Sequence, residues 1–303
     1  MGVSSPAPTL GVIDLDKPRG PTSHDMVGLV RRLSGIGRVG HAGTLDPLAS
    51  GVLPILVGGA TRLSEELSGS DKGYLATIRL GQMSATDDAE GPISEGRGPI
   101  PSMPVIGAAL EANRGLRLQR PPDFSARKVA GVPAHRAARR GSPLRLAPRE
   151  VMIHAIELLG SDAGGGYVDL RISLRCGPGT YVRALARDLG DQLGCGAYLL
   201  DLRRVEAAGL RIEEAVTPTE LEALAAVARF GEALRPVGPL LTLPKVELTG
   251  AEALRFRNGN PMAVASGGPA GRVAAYSHRS LLGIGEIRGD ELFPVKVLVE
   301  TPS

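Results

Sequence analysis

Residues 167–176, YVDLRISLRC, alternate without a break: Val168, Leu170, Ile172 and Leu174 fall on one side, Asp169, Arg171, Ser173 and Arg175 on the other. Successive side chains of a strand point to opposite faces, so the segment can rest only as a half-buried strand with its apolar face on a core. KGYLATIRLG, from Lys72, repeats the pattern with Tyr74, Ala76, Ile78 and Leu80 on its apolar side. Further short strands are expected in LGVIDLDK and near Met152–Leu159, and GVLPILVGG is a short apolar segment.

Helical signals lie between them. TSHDMVGLVRRLSG predicts a helix capped by Ser23, with Met26, Val27, Val30 and Leu33 on one face and Gly35 after its end. PGTYVRALARDLGDQLGCG predicts a loop and then a helix, with Thr180 as N-cap and Gly194 past the last turn. ATRLSEEL and a segment near Val105–Arg114 also read as helical, and SATDDAEGPISEGRGPIP as a polar loop. The proline-punctuated EALRPVGPLLTLP marks a domain boundary; one short helix, TGAEALRFRNG, and several short strands follow it.

The net charge of +3 in 303 residues hides an uneven distribution. From Arg114 to Arg149 there are ten Lys or Arg residues and one acid, Asp123. Broken by proline and glycine, that stretch reads as a loop suited to a polyanion, or as an ordinary surface loop. Cys176 and Cys195, the only cysteines, supply neither a disulfide framework nor a zinc site, so a reducing compartment is the expectation. No apolar run approaches the ~18 residues of a membrane span, and the N-terminus carries no export signal, so a cytoplasmic location and no membrane partner are expected.

RVGHAGTLDPLASGVLP, residues 38–54, holds His41 and Asp46 among Gly40, Gly43 and Gly51, with Pro47 directly after the acid. Such a run cannot be a helix. An aspartate bonding its own turn and a rigid functional loop are both compatible with it. No phosphate-loop, nucleophile-elbow or metal-ligand spacing occurs, and GIGEIRG lacks the dinucleotide-binding spacing. A lone carboxylate, scattered tyrosines and a basic flank suit base chemistry on nucleic acid: cations for phosphates, an aromatic for an extruded base and one catalytic group.

GHAGTLDPLASGVLP closely resembles the central motif of the bacterial TruB family of tRNA pseudouridine synthases. LDKPRGPTSHDMV, DKGYLATIRLG, GTYVRALARDLG, GAYLLDLRR, FRNGNP and GIGEI are similar to further motifs of that family, in the expected order over nearly the whole chain. The resemblance implies an α+β fold: a catalytic domain over residues 1–238 on a mixed, largely antiparallel sheet with flanking helices, with a basic RNA-binding insert at about 114–149. A small β-rich, PUA-like RNA-binding domain is expected over 239–303. It implies isomerisation of the T-loop uridine of tRNA (position 55), with no cofactor or metal, by a monomer whose partner is the tRNA T-arm and which needs no protein partner. A non-catalytic tRNA-folding module and a guide-RNA-dependent synthase subunit are the alternatives.

Carried over residue by residue, the resemblance makes Asp46 the catalytic aspartate, Arg183 its ion-pair partner and Tyr74 the aromatic that stacks on the uracil. His41 is implied to enter the vacated T-loop stack, and Tyr181 and Leu202 to wall the base pocket. Lys17, Asp88 and Lys128 are assigned to substrate binding or its support. Asp123 and Phe124 stand where the family has a Met-Tyr pair, and Ala85 where an acid is usual, which puts substrate fit in question more than chemistry.

Overall fold

The strand expected at 167–176 is central to a nine-stranded sheet in the computed structural model of the chain, which describes residues 10–124, 128–129, 132–133, 146–264 and 269–298. In chain order the sheet comprises β1 (Gly11–Lys17), β2 (Val39–His41), β3 (Ser50–Val57), β4 (Lys72–Leu80), β5 (Gly115–Gln119), β6 (Arg149–Gly164), β7 (Tyr167–Cys176), β8 (Ala197–Ala207) and β9 (Leu210–Arg211). Its spatial order is β1-β3-β8-β4-β7-β6-β5, with β2 beside β3 and β9 beside β8. Every pairing is antiparallel except β3 with β8, which meet in parallel at Ser50↔Arg203 and Gly51↔Arg204. Tyr74, Ala76, Ile78 and Leu80 are buried, as are Leu170, Ile172 and Leu174, so the two alternating segments lay their apolar faces on one core.

That core is closed by α1 (Ser23–Ser34), α3 (Met103–Glu111), α4 (Val182–Leu193) and α5 (Pro218–Ala226), while α2 (Ser64–Ser68) buries Leu67 in a separate apolar cluster. Two expected caps are corrected. Thr22, not Ser23, caps α1: its hydroxyl accepts from Asp25 N, and the Asp25 carboxylate accepts from Thr22 N. Thr180 does not cap α4, because its hydroxyl donates back to Gly177 O at 3.0 Å. Tyr181 holds the cap position, and its backbone N–H and C=O both bond the side-chain amide of buried Gln119. Gly35 and Gly194 end their helices in the left-handed conformation, as expected.

The basic stretch is not all loop. GLRLQ pairs along the edge of β6 as β5, and Lys128–Val129 forms a short hairpin with Val132–Pro133. Alternation in five residues is too brief a signal to stand out, and the free edge of β6 supplies what local sequence lacks. The rest of that stretch, including Arg136, Arg139 and Arg140, lies outside the described residues. Within the polar loop after β4, Gln82–Ser84 pairs with Ile93–Glu95.

A second, five-stranded sheet follows: β10 (Lys245–Glu247), β11 (Met262–Ala263), β12 (Gly271–Ser277), β13 (Ser280–Arg288) and β14 (Glu291–Val297), in the order β10-β12-β13-β14-β11. It packs on α6 (Gly250–Arg257) around fully buried Phe256. Val12, Leu56, Leu63 and Leu210 from the first sheet's side form one apolar cluster with Tyr276, Ile284 and Leu298 from the second. Beside it, buried Glu66 of α2 receives Lys296 at 2.9 Å and Arg272 at 3.1 Å. Among the described residues no helix is long and apolar enough to cross a membrane.

Candidate active site

Residues 42–49 join β2 to β3, and their shape follows from that junction. The far end of β3 pairs with β2, while its near end turns onto β8 at Gly51. Gly51 has φ +102°, and a Cβ there would lie 2.1 Å from Arg204 O, so only glycine lets the strands meet. Leu45 and Leu48 anchor the loop by burial. The buried Ser23 hydroxyl accepts from Leu45 N at 2.8 Å and donates to Leu45 O at 2.9 Å, pinning the residue before Asp46. Beyond it, Asp46 O accepts from Ala49 N and Pro47 O from Gly20 N. The carboxylate of Asp46 therefore projects from a loop whose backbone is held on both sides.

It meets Arg183, in the first turn of α4, at 2.9 Å. The contact is ionic; Nε lacks the geometry of a hydrogen bond to that oxygen. The Arg183 side chain is buried and its remaining nitrogens reach Asp88 and the Thr86 carbonyl, both at 3.2 Å, and the Phe124 carbonyl at 3.0 Å. One guanidinium thus gathers two carboxylates. Asp88, nearly fully buried, is fixed in turn by the Thr86 hydroxyl at 2.5 Å and Glu90 N at 3.1 Å.

The Asp46–Arg183 pair stands between two clefts. One, of about 260 Å³, is lined by Tyr74, Tyr181 and Leu202, with Lys72 and Arg204. The other, of about 490 Å³, has His41, Asp88 and Phe124 among its walls. Tyr74 is paired across the sheet with Arg204, and that guanidinium acts on its hydroxyl. Burial pushes the phenol up to about 12, so it stays protonated at neutral pH. Arg149 donates to Gly179 O and lies 5.3 Å from the Tyr181 ring centroid, setting that ring at the rim. Half-buried His41 keeps Nδ1 without a partner, and burial, then Arg204, lower its pKa so that the ring is neutral.

Asp46, Tyr74, Arg183, Tyr181 and Leu202 thus border one cleft, and His41 and Asp88 border the other with Asp46 and Arg183. Lys17 borders neither. It is fully buried, and its ammonium donates to Pro18 O at 2.9 Å and Pro21 O at 2.7 Å, holding the turn into α1. Burial lowers it to about 8. Lys128 lies in the short hairpin, and its side chain is outside the described residues.

Sequence reasoning missed four supports: Ser23 as a loop anchor, Gln119 under Tyr181, and the cations Lys72 and Arg204. For Arg204 a signal existed. It shares strand parity with Leu202, on the face that carries Tyr74, so an arginine there points inward.

Residues 31–182 match the TruB family pseudouridylate synthase N-terminal domain, 183–241 the tRNA pseudouridylate synthase B C-terminal domain, and 244–299 the pseudouridine synthase II TruB C-terminal domain. The tRNA pseudouridine synthase B of Aromatoleum aromaticum is 44% identical over 298 residues, covering 96% of this chain and 93% of that protein. That of Thermobifida fusca is 42% identical over 296 residues, covering 95% and 98%. A chain in the crystal structure of a Cbf5-Nop10-Gar1 complex superposes with TM-score 0.75 at 26% identity, covering 96% of this chain and 85% of that one. With a mixed α+β sheet, a small β-rich C-terminal unit and matches that run through both, this chain belongs to the TruB family of pseudouridylate synthases.

Proposed function

We propose that this chain isomerises the T-loop uridine of tRNA (position 55) to pseudouridine, with Asp46 as its one catalytic carboxylate and no cofactor. The observation that carries this reading is the Asp46–Arg183 ion pair, held between two clefts by a fixed loop. The C1′–N1 bond breaks, the uracil turns, C1′ joins C5, the C5 proton leaves to solvent and N1 takes up a proton. Composition is unchanged, so no redox partner is required. Glycosidases that expel an alkoxide need an acid as well as a second carboxylate. Uracil departs as a resonance-stabilised anion, so one carboxylate suffices to attack the sugar or take its proton. Arg183, 2.9 Å away, orients that carboxylate in a half-buried setting.

The cleft with Tyr74, Tyr181 and Leu202 takes the extruded uracil: Tyr74 offers a ring, and its hydroxyl relays the C5 proton towards solvent. His41, neutral and bordering the second cleft, fills the stack the base has left. Asp88 and Lys17 support the loop and its flanking turn, and Lys128 with the basic stretch engages phosphates. Residues 1–238 form the catalytic domain and 239–303 the RNA-binding one, in a cytoplasmic monomer that works without a protein partner.

The test is a tRNA transcript carrying tritium at uridine C5, incubated with purified protein alone. Release without cofactor, guide RNA or partner protein is expected; no release, or release only with a guide, overturns the reading. Asp46→Asn should bind tRNA and lose at least about 10²-fold in rate, the least that general-base or nucleophilic duty allows. A variant that keeps its rate refutes Asp46, and a protein that only folds tRNA keeps its effect when Asp46 is replaced.

A further inference from the structure

Two cations line the uracil cleft without a carboxylate as direct partner. Arg204 is fully buried, and its guanidinium donates to Val52 O at 2.7 Å, to Gly43 O at 3.0 Å and meets the Tyr74 hydroxyl. Lys72, two residues before Tyr74 and on the same strand face, is also buried; its ammonium donates to Ser68 O at 3.0 Å and Ser70 O at 2.8 Å. The acid that acts on Arg204 is the buried Asp14, which forms no ion pair with it, and the acids on the Lys72 side of the cleft are engaged elsewhere. Asp71 faces His154 at 3.1 Å and Arg175 at 3.8 Å, and Asp46 faces Arg183.

Carbonyl dipoles compensate a buried charge only in part, and an unpaired one is costly. Burial and the neighbouring Arg204 lower Lys72 to about 8, so it remains mostly cationic at pH 7, and an anion beside it would hold it so. An ammonium has three donors, and two are used on carbonyls. Beside the cations Arg149 and Arg183, Tyr74, Tyr181 and Leu202 give the cleft faces for a flat ring.

We propose that Lys72 is a further catalytic residue: it stabilises the negative charge on the uracil ring while that ring is detached from the ribose, with Arg204 behind it as a positioning residue. The inference rests on the function proposed above. When C1′–N1 breaks, its electron pair passes to the ring and spreads over N1, O2 and O4. When C5 joins C1′, those electrons form the new bond, the C5 proton goes to solvent and N1 takes up a proton. Charge is greatest in the interval between the two bonds, and a preorganised cation acts most there.

Lys72→Gln keeps a donor for the Ser68 and Ser70 carbonyls and removes the charge. Its single-turnover rate at saturating protein is measured on two transcripts, one with uridine and one with 5-fluorouridine at the target, by nuclease digestion and chromatography of the remaining nucleoside. Fluorine withdraws electrons, so the departing ring bears its charge with less help. The expected loss is on the order of 10²-fold for uridine, the cost of one oxyanion donor, and under about 10-fold for fluorouridine. Lys72→Arg, which keeps a displaced charge, should regain at least about 10-fold over Lys72→Gln on uridine. Equal losses on both substrates, a wild-type rate, or weaker tRNA binding with an unchanged rate would overturn the assignment; the last would make Lys72 a phosphate contact. If Lys72→Gln does not fold, Lys72→Arg is read in the same comparison, where a displaced charge must cost uridine more than fluorouridine. A wild-type protein that releases no tritium refutes the proposed function itself. An active one with substrate-independent losses refutes Lys72 alone.

Discussion

Ser23→Ala tests whether one hydroxyl fixes the loop that carries Asp46. Ser23 is 2% exposed and Leu45 3%, so water cannot replace the hydroxyl's bonds to Leu45 N and Leu45 O. Alanine leaves one N–H and one C=O buried and unpaired, at ~1–3 kcal/mol each. The expected loss is therefore about 3 kcal/mol, a large share of the ~5–15 kcal/mol that holds a typical domain. Leu45 adjoins Asp46, and a misplacement of about 1 Å in reacting groups can cost ~10²-fold, so the rate should fall at least ~10-fold. Urea unfolding, read as a shift in midpoint at constant slope, gives the first quantity, and single-turnover tritium release gives the second. Thr217→Ala separates the two effects: it removes the capping box of α5, should cost about 1 kcal/mol, and leaves the rate unchanged. A Ser23→Ala protein that loses less than about 1 kcal/mol and keeps its rate would refute the pinning argument.

Asp14 is buried with neither carboxylate oxygen hydrogen-bonded by a side chain, and burial raises it from 3.8 to about 6. The folded state then holds its proton more tightly than the unfolded, so stability falls as pH rises through about 4 to 6 and levels off above. At 1.36 kcal/mol per pH unit the site costs about 3 kcal/mol at neutral pH. Asp14→Asn should lose that dependence, and parallel stability curves for the two proteins from about pH 4 to 7 would contradict it. Tyr74→Phe keeps the ring and removes the hydroxyl, so tRNA affinity should hold while the single-turnover rate drops; weakened binding with an unchanged rate argues against a proton-transfer role. His41→Ala should slow modification of folded tRNA more than of an isolated T-arm stem-loop, and equal slowing of both would place His41 outside the wedge role.

What was legible in the sequence had a period or a punctuation mark. The alternation in β4 and β7 announced the sheet, and Gly35 and Gly194 announced the ends of α1 and α4. Motif resemblance singled out Asp46 and Arg183, 137 residues apart and in contact in the fold. The missed features are those that only tertiary geometry decides. Either Thr22 or Ser23 is a good cap by composition; the choice falls on Thr22 because Leu45 claims Ser23. Arg203 and Arg204 are neighbours of one type, yet Arg203, itself part-exposed, reaches Asp16 at 2.7 Å while Arg204 turns into the core. Lys72 looks like a strand's polar start until the loop at Ser68–Ser70 folds back to cover it.

The apolar cluster shared by the two sheets bears on how such a chain can change over evolution. Val12, Leu56 and Leu63 complete their packing on Tyr276, Ile284 and Leu298, and Glu66 has its cations on the C-terminal side. A C-terminal unit recruited from another protein would bring the wrong half of that seam. It would also strand a buried carboxylate, a change that costs several kcal/mol. Although its neighbour by sequence is only a proline-rich stretch, an exchanged module would have to bring both an apolar face for this seam and cations for Glu66. Loss of the Glu66 carboxylate would in turn leave Arg272 and Lys296, more than two hundred residues away along the chain, without that partner.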